Sequence, residues 1–150
     1  VEPDRAAAHV LLAEDNDINA LLAARMIERC GCSVERATNG RAAVEALRAT
    51  LDNGARPFDL VLMDVLMPEV DGLEATGLIA SMFEEAGQQR PPIIALTANA
   101  FSEDRQRCLD GGMDDYLAKP FERAELDAVL DRWVGFPPAV AVNGGHAAAV

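Results

Sequence analysis

Residues 58–72 read FDLVLMDVLMPEVDG. The first six of them are almost continuously apolar, which suits a short strand buried on both faces. The run stops at an acid, Asp64. Pro68 and the Asp71-Gly72 pair then break the chain into a tight loop, and apolar residues at helical spacing resume through about Phe83. This segment therefore predicts a buried strand whose carboxyl end carries an aspartate, followed by a helix.

The same alternation recurs on either side. Upstream, His9–Ala13 (HVLLA) predicts a strand, and Asn16 or Asp17 can cap the helix after it. Ile18, Leu21, Leu22 and Met26 fall on one face of that helix and are its expected apolar face. Gly31 stops it. Residues 34–37 predict a second strand and 40–51 a second helix, carrying Val44 and Leu47. Downstream, 92–96 (PIIAL) predict a fourth strand ending at Thr97, and Ser102 can cap a helix through Leu109. Asp115–Ala118 (DYLA) predicts a fifth strand, and Leu126, Val129, Leu130 and Trp133 line a last helix. Strands alternating with helices imply parallel βαβ units. The expected fold is α/β, a doubly wound five-stranded parallel sheet of flavodoxin-like order 2-1-3-4-5 with five helices. The expected division is an extension over 1–7, one domain over 8–134 and a flexible tail over 135–150.

At 150 residues the chain has room for one core. Its formal net charge of −12 argues against direct contact with nucleic acid. No apolar run approaches the roughly 20 residues of a membrane span. Cys30, Cys32 and Cys108 are an odd set with no disulfide framework, so a reducing, cytoplasmic setting is expected. Cys30-Gly-Cys32 lacks the partner residues of a metal site and reads as free thiols. Of the 13 basic residues only Lys119 is a lysine, and Lys and Arg differ where a compact point charge is needed.

In open α/β sheets the ligand sits beyond the carboxyl ends of the strands. There the chain places Glu14-Asp15 after strand one, Asp64 after strand three, Thr97 after strand four and Lys119 after strand five. Two carboxylates about 4 Å apart repel by ~4 kcal/mol at an effective dielectric near 20, and a cation offsets this. Few, water-exposed oxygen ligands suit Mg²⁺. A carboxylate can also act as a nucleophile and carry a covalent phosphoryl group. Such transfer needs positioning and charge neutralisation at the phosphoryl oxygens. Asp64, Lys119 and Thr97 fit those roles.

At these residues the chain resembles the receiver domain of two-component response regulators, most closely the receivers of hybrid sensor histidine kinases. The matching segments are VLLAEDN, NGRAAVEAL, FDLVLMDVLMPEVDG, IIALTANAF, GGMDDYLAKPF and the last helix. The resemblance implies phosphorelay signalling, with Asp64 taking a phosphoryl group from a phosphohistidine. It implies Mg²⁺ held by Asp15, Asp64, the carbonyl of Leu66 and, through water, Glu14. Thr97 and Lys119 would contact the phosphoryl group, and Tyr116 would be the switch aromatic, although alone it also reads as core. By the same resemblance, self-phosphorylation and autodephosphorylation would be the domain's own activities, and a hybrid parent chain would carry the histidine kinase. The implied partners are a histidine kinase or histidine phosphotransfer protein, with a possible homodimer through residues 102–109, 115–118 and 122–133. Leu66 is apolar where hybrid-kinase receivers often have a polar side chain, which bears on the lifetime of the phosphorylated state.

Other readings fit less well. A Mg²⁺-dependent phosphatase of the haloacid-dehalogenase type wants a second Asp where Leu66 stands. A nucleotide-binding domain needs a glycine-rich loop after strand one, where this chain has Glu-Asp-Asn. A stand-alone single-domain regulator remains the alternative to a hybrid-kinase parent.

Overall fold

The computed structural model describes residues 8–65, 67, 70–98 and 102–134, the side chains of 102–104 excepted. Its elements alternate strictly: β1 (His9–Ala13), α1 (Asp17–Arg29), β2 (Ser33–Ala37), α2 (Gly40–Asp52), β3 (Leu60–Asp64), α3 (Gly72–Glu85), β4 (Ile93–Thr97), α4 (Ser102–Asp110), β5 (Asp115–Ala118) and α5 (Arg123–Trp133). The strands form one parallel sheet of order β2-β1-β3-β4-β5. The doubly wound topology expected from the strand pattern is the one observed.

Side chains alternate across a strand, and this sorts the core into two layers. Leu11, Val61, Met63, Ile93 and Ala95 face α2 and α3, where Val44, Leu47, Ala75, Ile79 and Phe83 pack. Val10, Leu12, Leu60, Leu62, Ile94 and Leu96 face the other side, against Ala20, Ala23 and Ile27 of α1 and Leu126, Val129 and Leu130 of α5. Every residue of β3 and β4 is buried. Each fully buried Leu or Ile contributes on the order of 1.5–3 kcal/mol. Helix starts follow local chemistry: Asn16, Asn39 and Asp71 accept hydrogen bonds from the N–H groups of Asn19, Ala42 and Glu74, and Glu122 and Glu125 form a capping box on α5.

Two expectations are corrected. The outer strand residues Phe58 and Asp59 precede β3, which begins at Leu60. Asp59 Oδ2 instead accepts from the His9 N–H at 2.8 Å, and Phe58 stacks on the His9 ring with centroids 4.7 Å apart. The second correction concerns α1. Ile18, Leu21 and Leu22 are 69%, 54% and 61% exposed, and the buried face is Ala20, Ala23 and Ile27. Small alanines let the helix lie close on the sheet, so the larger residues are turned outward. The three cysteines are buried and outside any disulfide.

Candidate functional site

Parallel strands of one sheet end along one edge, so Glu14 and Lys119, just past β1 and β5, converge there with Asp64 and Thr97, the last residues of β3 and β4. Glu14, Asp64 and Thr97 are buried, at 2%, 5% and 7% exposure. Lys119 ties them together: its ammonium donates to Glu14 Oε1 at 3.0 Å and to Asp64 Oδ2 at 3.2 Å. The backbone fixes the Lys119 side chain's root, because Lys119 N–H donates to the Thr97 carbonyl at 2.7 Å. The Lys119–Pro120 peptide bond is cis. The β1–α1 loop is fixed as well, with Asn16 N–H donating to Glu14 Oε2 at 3.2 Å.

The opposite wall depends on a close approach. The N–H of Gly72 donates to the Val65 carbonyl at 3.0 Å. A Cβ at Gly72 would lie 2.4 Å from the carbonyl oxygen of Asp64, so only glycine lets α3 start this near the acidic strand end.

Charge is unevenly shared in this cluster. Burial acts to raise the Glu14 carboxyl, but hydrogen bonds from Lys119 and from the Asn16 N–H outweigh it and hold the group below the usual carboxylate range. For Asp64 burial wins over the charge of Lys119, and with Glu14 beside it the carboxyl is pushed up to about 6. Burial disfavours the Lys119 charge, yet the hydrogen bond to Glu14 and the charge of Asp64 hold its ammonium above the usual lysine value. Asp15 is exposed, and one carboxylate oxygen from each of Glu14, Asp15 and Asp64 can be chosen so that all lie within 4.8 Å of one another. With all three ionised against one ammonium, the group carries net negative charge and offers only oxygen. That donor set fits a hard divalent cation.

These residues line an open cleft of about 380 Å³. Thr97, Ala98 and Asn16 share its wall, as do two polar residues that the sequence did not assign to the site, Asn19 of α1 and Arg107 of α4. Helical spacing from Asn16 could have found Asn19. Nothing local signals Arg107, which reaches the cleft from α4, the helix packed against β5. Leu66, Asn99 and the side chain of Ser102 lie outside the described residues. Tyr116 stands apart from the acidic group, half-buried on β5. Its hydroxyl accepts a hydrogen bond from Arg105 Nη1, and the Arg105 guanidinium lies 5.0 Å from the ring centroid.

A family model described as the response regulator receiver domain matches residues 10–131. The chain belongs to this family. Among solved structures, this receiver is similar to the receiver domain of sensor histidine kinase PA1611 from Pseudomonas aeruginosa, a structure with magnesium coordinated in the active-site cleft. The identity is 41% and the TM-score 0.71, covering 85% of this chain and 98% of that one. It is also similar to the receiver of the Saccharomyces cerevisiae response regulator Ssk1, seen in complex with the histidine phosphotransfer protein Ypd1. There the identity is 29% and the TM-score 0.76, over 89% and 90% of the two chains. Among curated proteins, the receiver is 41% identical over 129 residues to the sensor protein GacS of Pseudomonas syringae, covering 86% of this chain and 14% of GacS. The receiver thus spans a small part of that relative's length. No described helix is long and apolar enough to cross a membrane.

Proposed function

We propose that this receiver accepts a phosphoryl group from a phosphohistidine donor onto Asp64 and passes a signal within a phosphorelay. The observation that carries this is the grouping of buried Asp64 with Glu14, Asp15 and the Lys119 ammonium at the mouth of an open cleft. In the step, an Asp64 carboxylate oxygen forms a bond to phosphorus as the phosphorus–nitrogen bond to the donor imidazole breaks, and the imidazole, carrying a proton on its other ring nitrogen, takes the bonding electron pair and leaves as the neutral base. Bound Mg²⁺ supplies charge neutralisation at the phosphoryl oxygens. Glu14, Asp15, Asp64 and the Leu66 carbonyl are the groups proposed to hold it. Lys119, already bonded to Asp64, is set to contact a second phosphoryl oxygen. The Thr97 hydroxyl on the neighbouring strand is set to meet a third, which would release room for Tyr116 to move.

The reading extends to the rest of the protein. Similarity to receivers of sensor kinases supports a hybrid histidine kinase as parent, with residues 8–134 as the receiver, 1–7 and 135–150 as flanking segments and a cytoplasmic setting. The donor would be a histidine kinase or histidine phosphotransfer protein. Exposed Ile18, Leu21 and Leu22 adjoin Asn19, which lines the cleft, so a partner seated on α1 would bring its histidine towards Asp64. The face formed by α4, β5 and α5 is the proposed output and self-association surface, without direct contact to nucleic acid.

Acetyl phosphate with Mg²⁺ is expected to add one base-labile phosphoryl group, read by intact mass. Equal labelling of Asp64→Asn would overturn the assignment.

A further inference from the structure

The site depends on a residue outside its own edge loops. Arg36 lies on β2 opposite Leu12 of β1. Its guanidinium reaches past the end of β1 and grips the carbonyl of Glu14 twice, from Nε at 3.0 Å and from Nη2 at 2.9 Å. The remaining arm, Nη1, donates to Asp17 Oδ1 at 2.8 Å in the first turn of α1. The Glu14 N–H meanwhile donates to the Ala37 carbonyl at 3.1 Å. Both polar backbone groups of Glu14 are thus held from β2, one by the strand's backbone and one by an arginine fork.

The Glu14 carbonyl belongs to the peptide group that joins Glu14 to Asp15. A planar peptide has no internal freedom, so gripping its oxygen sets the direction in which the chain leaves towards Asp15. We infer that Arg36 is a positioning residue for the acidic site, holding the Glu14–Asp15 peptide so that the Asp15 and Glu14 carboxylates converge with Asp64. This rests on the reading of the cluster as a divalent-cation site given above. A lysine cannot substitute, because one ammonium does not reproduce three donors spread across a rigid fork.

Charge alone predicts the opposite sign. Arg36 is a cation near a cation site, so by Coulomb's law its removal tightens metal binding. Positioning predicts weaker binding, since residues that orient metal ligands typically give losses of about tenfold or more when changed. The test compares the parent chain with Arg36→Met and Arg36→Lys by Mg²⁺ titration calorimetry. Amide hydrogen exchange is followed in parallel without metal. Both variants are expected to bind Mg²⁺ roughly tenfold more weakly. In both, the metal-free Glu14 and Asn16 amides should exchange about tenfold faster, with exchange in β3 and β4 unchanged. Equal or tighter Mg²⁺ binding by Arg36→Met would overturn the inference, and so would full parental affinity in Arg36→Lys. If Arg36→Met does not fold, Arg36→Lys decides alone. A parent chain that fails to bind Mg²⁺ would remove the metal reading. In that case the exchange arm still decides whether Arg36 holds the loop, and parental exchange rates in both variants would overturn it.

Discussion

The Lys119 ammonium donates to Asp64 Oδ2 at 3.2 Å across 55 residues of sequence, and the same ammonium is bonded to Glu14. One cation therefore offsets two buried carboxylates. Removing it leaves both without their shared counter-charge, a loss of the order of 3–5 kcal/mol for a buried pair, less here because the cleft is open to water. Lys119→Ala is expected to lower the thermal midpoint of the metal-free chain. Mg²⁺ should then raise the midpoint more in the variant than in the parent, because the metal takes over the missing charge. Scanning calorimetry with and without Mg²⁺ checks this, and an equal or smaller metal-induced rise would refute it.

The raised Asp64 carboxyl has a pH consequence. Its folded pKa of about 6 stands above its ordinary value of 3.8. The native chain therefore holds this proton more firmly than the unfolded chain. The stabilisation is complete below the unfolded value and is lost as pH rises through about 6. Mg²⁺ needs the ionised form, so proton and metal compete. The stabilisation produced by a fixed Mg²⁺ concentration, which follows its affinity, is expected to be larger at neutral pH than at acidic pH below the Asp64 transition. In Asp64→Asn that part of the pH dependence should vanish. A pH-independent Mg²⁺ effect in the parent chain would contradict the assignment.

The proposed docking of a donor on the outward apolar face of α1 can be tested apart from the chemistry. Ile18→Glu combined with Leu22→Glu alters exposed positions only. Transfer from a phosphohistidine protein is expected to slow about tenfold or more, the effect of losing an interface anchor. Labelling by acetyl phosphate, which needs no protein docking, should stay within about twofold of the parent. A parallel loss of both would place these residues in the fold or the site.

Tyr116 is clasped by Arg105, which bonds its hydroxyl and covers its ring. A switch can move only as far as the ligand's preference between its two states. Releasing the clasp should therefore shift the balance towards the inward ring. In Arg105→Ala, a phosphoryl mimic such as beryllofluoride with Mg²⁺ should produce the NMR changes on α4, β5 and α5 at lower mimic concentration. Tyr116→Ala should still be phosphorylated yet lose most of those remote changes. Remote changes of parental size in Tyr116→Ala would show that the ring is packing alone.

The sequence by itself determined what depends on near neighbours. Alternating apolar runs specified the order and type of every strand and helix. The end of each strand in turn specified which residues meet, since parallel strands must finish at one edge. Glu14, Asp15, Asp64, Thr97 and Lys119 were legible for that reason. Tertiary structure decided what periodicity leaves open. Ile18, Leu21 and Leu22 share a helical stripe as well as Ala20, Ala23 and Ile27 do, and only the close seating of α1 on the sheet chose the alanines. The β3 boundary moved because the Asp59 carboxylate met the His9 N–H across 50 residues. Arg107 reached the cleft through the packing of α4. The grip of Arg36 on Glu14 was invisible for a simpler reason: its acceptor is a backbone carbonyl, which every residue carries, so no side-chain pattern marks it.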